Sequence, residues 1–207
     1  MVVEALQCLR PHSGGLYIDA TVGLGGHSAA ILDAAGDGAR LIGIDQDPGA
    51  LDLAQERLRP YGPAVTLVEA NFADLDAAFD EVGETDADGI LMDIGMSSYQ
   101  IENSGRGFSF TRDEPLDMRM NPETELTAAH VVNRYREEDL EAVIRDYGEE
   151  RWAGRIARAV VERRKQGPLA TSRQLASLIE GATPGSARRR RHPATRTFQA
   201  LRICVND

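Results

Sequence analysis

Cysteine is almost absent from this 207-residue chain: Cys8 and Cys204, near opposite ends, are the only two. That excludes a disulfide-framed scaffold and a cysteine-rich metal site, and it fits a reducing compartment. Histidine is equally sparse. His12, His27, His130 and His192 are scattered without ligand spacing, so no metal centre is expected. The sequence has no long apolar run and no signal-peptide pattern, which predicts a cytoplasmic protein with no membrane contact. Lysine occurs once, at Lys165, so the preference for arginine is a habit of the whole chain and singles out no position.

The formal net charge is −10, which taken alone argues against a polyanionic partner. The average hides an asymmetry. Residues 1–150 hold 30 acidic and 10 basic side chains, whereas residues 151–207 hold 13 basic and 3 acidic. A basic end on an acidic protein is the electrostatic footprint of a polyanion, because clustering matters more than the total.

Residues 16–45 organise the rest. Leu16 to Ala20 and Leu41 to Asp45 are apolar runs of strand length, and between them Ala29, Ile31, Leu32 and Ala35 have helical spacing. This predicts a βαβ unit with parallel strands covered on both faces. Thr21-Val22-Gly23-Leu24-Gly25-Gly26-His27-Ser28 makes the first turn. Glycine there allows a sharp change of direction and close approach to a ligand, and the following helix offers free N–H groups. Asp45, twenty residues after Gly25, ends the second strand, where a carboxylate accepts ribose hydroxyls. The combination points to an adenosine-containing ligand.

Further along, Asp47-Pro48 predicts a helix start, and Leu51, Ala54 and Leu58 then share a face. Val65 to Glu69 predicts a third strand, with Phe72 in the loop after it. There Phe72 packs either on a purine or in the core. Asp88 to Asp93 predicts a fourth strand, again ending in an acid. Beyond Phe110 the pattern turns to helices alone: residues 138–147, 151–165 and a capping box at Thr171 and Gln174 before Leu175. Arg188, Arg189, Arg190 and Arg191 form a basic loop, either a plain exposed loop or a contact for the phosphates of a polyanion. Thr195 to Val205 predicts a last helix leading back to the sheet.

Several of these segments together resemble one family. Asp19-Ala20-Thr21 with Gly23, Gly25-Gly26-His27-Ser28; Gly43 to Pro48; Asp93-Ile94-Gly95-Met96-Ser97-Ser98; Arg106 to Phe110; Pro115 to Met120; Tyr147 to Arg151; and His192 to Arg202 are similar to the bacterial 16S ribosomal RNA cytosine-N4 methyltransferases. The motifs are long, ordered and spread over nearly the whole chain.

The resemblance implies a Rossmann-like, class I methyltransferase with an inserted helical domain. It uses S-adenosyl-L-methionine on the exocyclic amine of a cytidine in the decoding region of 16S rRNA, within the small ribosomal subunit. Carried over by position, the cofactor residues are Gly25, Gly26, His27, Asp45, Phe72, Asp93 and Gln100. Residues 1–125 form the core, 126–194 the substrate-binding insert, and 195–207 the start of the return to the core. Arg196 joins the arginine run as an RNA contact.

Many amino methyltransferases place an Asp/Asn-Pro-Pro-aromatic loop after the fourth strand to accept hydrogen bonds from the amine. Asp93-Ile94-Gly95-Met96 stands here instead, so Asp93, Ser97 and Ser98 are the expected amine-side residues. The family continues through further strands and begins slightly earlier, which predicts an incomplete sheet of four strands with a bare edge. Two other functions remain open: a non-catalytic fragment that binds cofactor or RNA, and a nicotinamide-dependent oxidoreductase. The oligomeric state is also open, a homodimer included.

Overall fold

All four residues of β1 (Leu16–Asp19) are buried, and they face in two directions. Leu16, Ile18 and Ala20 pack with Ile42, Ile44 and Ala78 on one side of the sheet; Tyr17 packs with Ile31, Leu32, Ala35 and Leu41 on the other. Burial on both faces is why the strands read as continuous apolar runs rather than alternating ones. In the computed structural model, which describes residues 2–184 and 192–206, β1 lies between β2 (Arg40–Asp45) and β4 (Gly89–Leu91). With β3 (Val65–Glu69) the order is β3-β2-β1-β4 and every pairing is parallel. Tyr17 stands opposite Leu41 on one flank and Gly89 on the other.

Four helices accompany this sheet: α1 (Val2–Leu9), α2 (Gly26–Ala35), α3 (Pro48–Leu58) and α4 (Leu75–Val82). Asp47 caps α3 by accepting from the Gly49 N–H at 3.1 Å, with Pro48 at the first position, as the sequence predicts. By contrast, α4 occupies a segment whose beginning reads as loop. Its signal was present, since Leu75, Ala78, Phe79 and Val82 have helical spacing and pack on the β1–β2 face. Strand β4 is shorter than the run Asp88 to Asp93. The Asp88 carboxylate accepts from the Leu16 N–H at 2.8 Å, and Asp93 lies beyond the ladder.

The described residues divide into two compact units, Met1–Tyr99 and Gln100–Asp207, with α5 (Ser98–Glu102) crossing the division. The second unit contains α6 (Ala128–Arg134), α7 (Glu137–Asp146), α8 (Ala153–Arg164), α9 (Ser172–Ala182) and α10 (Ala194–Asn206). Leu140, Ile144, Ile156, Val160, Leu175, Ile179, Phe198 and Leu201 are all buried, one apolar stripe from each of α7 to α10. Segment 106–119 belongs to the same unit. Leu116 N–H donates to the Ala170 carbonyl at 3.0 Å, and the Arg119 guanidinium grips both oxygens of Asp117 at 2.8 and 2.7 Å.

The packing division falls at Tyr99, ahead of the change to helical pattern beyond Phe110. Helix α10 packs within the second unit, and the Asn206 side chain donates to the Met118 carbonyl at 2.8 Å.

Candidate functional site

The strand order reverses direction about β1, since the chain builds outward to β2 and β3 and then returns to place β4 on the other side. Ligands of such sheets lie at the carboxyl ends beside that reversal. The turn after β1 is fixed by two backbone bonds: Val22 N–H to the Ile44 carbonyl at 2.9 Å, and Gly25 N–H to the Val22 carbonyl at 2.7 Å. Gly23 and Gly25 hold φ of +51° and +73°, a left-handed backbone that side chains resist. A Cβ at Gly25 would lie 3.1 Å from the Leu58 side chain, so the turn is also closed against α3. Gly25 is the N-cap residue of α2 and offers no side-chain cap, leaving the first-turn N–H groups directed out of the helix end.

Three acids and two hydroxyls knit this rim together. The Asp45 carboxylate accepts from the Gly23 N–H at 2.9 Å and the Asp47 N–H at 3.0 Å, which ties the glycine turn to the tip of β2. Asp19, 1 % exposed, accepts from the Ser28 hydroxyl at 2.7 Å and the Thr21 N–H at 3.3 Å. Burial pushes both carboxyls above the usual carboxylate range, against the lowering effect of those hydrogen bonds. Asp93 is reached through Thr21, whose hydroxyl accepts from the Asp93 N–H at 2.7 Å. Ser97 Cβ stands 3.8 Å from where a Cβ on Gly23 would lie, so the loop after β4 passes over the glycine turn.

Phe72 follows β3 in a short turn and is 41 % exposed, unlike a core aromatic. Its segment joins the same rim. Ala70 N–H donates to the Asp45 carbonyl at 3.1 Å, and the Asn71 side-chain amide donates to Gln46 Oε1 at 3.3 Å. Gly25, Gly26, His27, Asp45, Phe72, Asp93 and Ser97 therefore belong to one edge of the sheet. What the sequence list omitted is the scaffolding trio Asp19, Thr21 and Ser28. Its signal was a hydroxyl two residues beyond a buried strand acid and another in the first turn of α2.

The MraW methylase family profile matches residues 1–207. The chain belongs to the MraW methylase family. Curated relatives include the ribosomal RNA small subunit methyltransferases H of Geotalea uraniireducens, 51 % identical over 100 % of this chain and 67 % of the relative, and of Symbiobacterium thermophilum, 52 % identical over 100 % and 65 %. That of Geotalea daltonii is 53 % identical over 99 % of this chain and 66 % of the relative. The chain spans about two thirds of the length of the curated relatives it matches. With parallel strands and flanking helices, the chain has the Rossmann-like methyltransferase fold, with four strands among the described residues.

The other candidates belong to other elements. Ser98 opens α5. Gln100 opens the second unit, where it is buried and its carbonyl accepts from the Ser104 hydroxyl at 2.8 Å. Arg196 lies on α10 and donates to the Glu149 carbonyl at 2.6 Å. Arg188, Arg189, Arg190 and Arg191 fall outside the described residues. Among the described residues no cluster of metal-ligating side chains occurs, and no helix is long and apolar enough to cross a membrane.

Proposed function

We propose that this MraW family member is an S-adenosyl-L-methionine-dependent methyltransferase that methylates the exocyclic N4 amine of a cytidine in the decoding region of 16S rRNA, in the cytoplasm. The convergence of the glycine turn, Asp45, Phe72 and Asp93 on one rim carries the reading, and it agrees with the names of the relatives. The residues present suit the cofactor. Uncapped N–H groups at Gly26, His27 and Ser28 match a methionine carboxylate, Asp45 the ribose hydroxyls, and the exposed Phe72 ring a purine face. An acid-lined rim also matches a sulfonium, whose charge it balances.

The bound cofactor supplies a methyl group already activated for transfer, so the protein's share is alignment and exclusion of water. A cytosine amine is a weak nucleophile because its lone pair is delocalised. Asp93 and the Ser97-Ser98 loop serve as acceptors for its protons, localising that pair as attack proceeds. Residues 126–194 act as the substrate-side insert, and Gln100 enters the cofactor set on the family resemblance alone.

A second reading rests on the covered length: a cofactor- or RNA-binding piece without turnover. Titration with labelled S-adenosylmethionine and with NAD, followed by methyl transfer to small-subunit RNA, separates the readings. Cofactor binding with no transfer favours the second; NAD binding overturns both. Asp93→Ala should abolish most transfer, and near-normal turnover at saturating cofactor removes Asp93 from the amine site.

A further inference from the structure

Helix α8 carries a cationic strip that the cofactor rim does not use. Arg151, Arg155 and Arg158 are spaced by four and three residues, which puts them along one stripe of the turn and helix they occupy. The opposite side, Ile156, Ala157 and Val160, is buried and fixes which way the stripe faces. Arg151 and Arg155 are exposed, and their guanidinium carbons lie 4.9 and 5.7 Å from the centre of the Trp152 ring. Neither has a carboxylate partner among the described residues.

The nearby acids are already engaged. Glu137 pairs with Arg158 at 3.4 Å, Glu162 with Lys165 at 2.7 Å, and the buried Glu150 carboxylate accepts from the Trp152 N–H at 2.9 Å. That last bond also holds the indole's backbone in place. An open groove of about 260 Å³ lies between Arg155, Arg158 and Glu162, floored by Ala159 and Ala182. Arg196 extends the same cationic surface by reaching the carbonyl of Glu149, two residues before Arg151 in the chain.

We propose that Trp152 with Arg151, Arg155 and Arg158 forms a docking strip for the phosphate backbone of the RNA substrate; this rests on the RNA-methylating reading above. A guanidinium laid against an indole is pre-organised and keeps its N–H edges free for phosphate oxygens. The seven residue steps from Arg151 to Arg158 cover roughly 10 Å at about 1.5 Å per step. Successive phosphates at about 3.4 Å per nucleotide along a helical strand fit within that length. With no partner anion of their own, Arg151 and Arg155 are the cations on which a polyanion gains most.

Trp152 is the only tryptophan in the chain, so its emission reports on the strip directly. Titrating the full chain with a 16S rRNA fragment that carries the decoding region should shift or quench that emission in step with binding followed by fluorescein anisotropy. Emission unchanged through saturation overturns the proposal. Arg151→Gln with Arg155→Gln should weaken binding about tenfold and lower the log K against log salt slope by about 1.4, two contacts at about 0.7 each on a single strand. Cofactor affinity should stay unchanged and certifies folding. Replacing both arginines by lysine should recover the slope but not the full affinity. An RNA affinity and slope equal to wild type would overturn the strip alone; absence of RNA binding by the unaltered chain would overturn the RNA reading and the strip with it.

Discussion

Asp19 is a carboxylate 1 % exposed, and burial raises its pKa above the unfolded value. Asp45 shifts in the same direction for the same cause. For an acid with a raised folded pKa, the folded state holds the proton longer. Its contribution to stability is therefore complete below the unfolded pKa and is lost as pH rises through the folded one. Asp19→Asn keeps an acceptor for the Ser28 hydroxyl and removes this loss. Urea unfolding from about pH 4 to neutrality should show the variant gaining on wild type as pH rises; parallel curves would refute the cost assigned to Asp19. Asp117 works the other way. Burial raises its pKa, but hydrogen bonds and charge from Arg119 outweigh that and lower it, so its contribution is lost on acidification.

Thr21 deserves a separate experiment, because one hydroxyl joins the turn after β1 to the segment after β4. Thr21→Val preserves shape and leaves the Asp93 N–H without its acceptor, a loss of about 1–3 kcal/mol for a buried group. Methyl transfer should fall about tenfold or more, since each 1.36 kcal/mol in the barrier is tenfold. Thr21→Ser should restore it. A valine variant as active as wild type would show that Asp93 is held by other means.

Among the elements, the turn leading into α2 is the most constrained, and two glycines separate the causes. Gly25 and Gly83 share a left-handed backbone, φ +73° and +77°, but only Gly25 faces a neighbour, Leu58 at 3.1 Å from an added Cβ. Gly83→Ala should cost only the backbone term, about 1–2 kcal/mol. Gly25→Ala should cost more and should also weaken cofactor binding. Equal urea midpoints for the two would mean that Leu58 moves aside freely. Helix α9 shows how local rules persist with small shifts. Thr171 caps it at 3.4 Å from the Gln174 N–H, but the Gln174 side chain reaches the Ala170 N–H at 2.9 Å, one residue before the cap.

At the scale of the whole molecule, β4 pairs among the described residues with β1 alone, and its Ile90, in register with Ile18, is 48 % exposed. Ile94, three residues past the strand end, is 80 % exposed. An unpaired edge flanked by apolar side chains promotes association of one chain with another. Light scattering of this chain should rise with concentration, and Ile94→Lys should reduce it. A monodisperse chain at high concentration would show that the edge is protected. The same scale shows the charge asymmetry at work, since the second unit collects the cations of α8 and α10 whereas the rim of the sheet collects Asp19, Asp45, Asp47 and Asp93.

Much of this was legible along the chain. Hydrophobic period, the glycine turn, Asp45 at a strand end and the Asp47-Pro48 start are local signals, and local signals survive folding because neighbours in sequence stay neighbours in space. Helix α4 is legible too, in four apolar positions at helical spacing, although the turn just before it reads as loop. What sequence did not disclose is contact between distant residues. The Thr21 hydroxyl meeting the Asp93 N–H across 72 residues, Asp45 reaching back 22 residues to Gly23, and two arginines leaning on Trp152 are decided by register and packing. The linear pattern alone set the strands, the family and the glycine turn with Asp45 at a strand end. Only the three-dimensional arrangement decided which hydrogen bonds hold them together, because a hydrogen bond depends on an approach of about 3 Å that no spacing along the chain specifies.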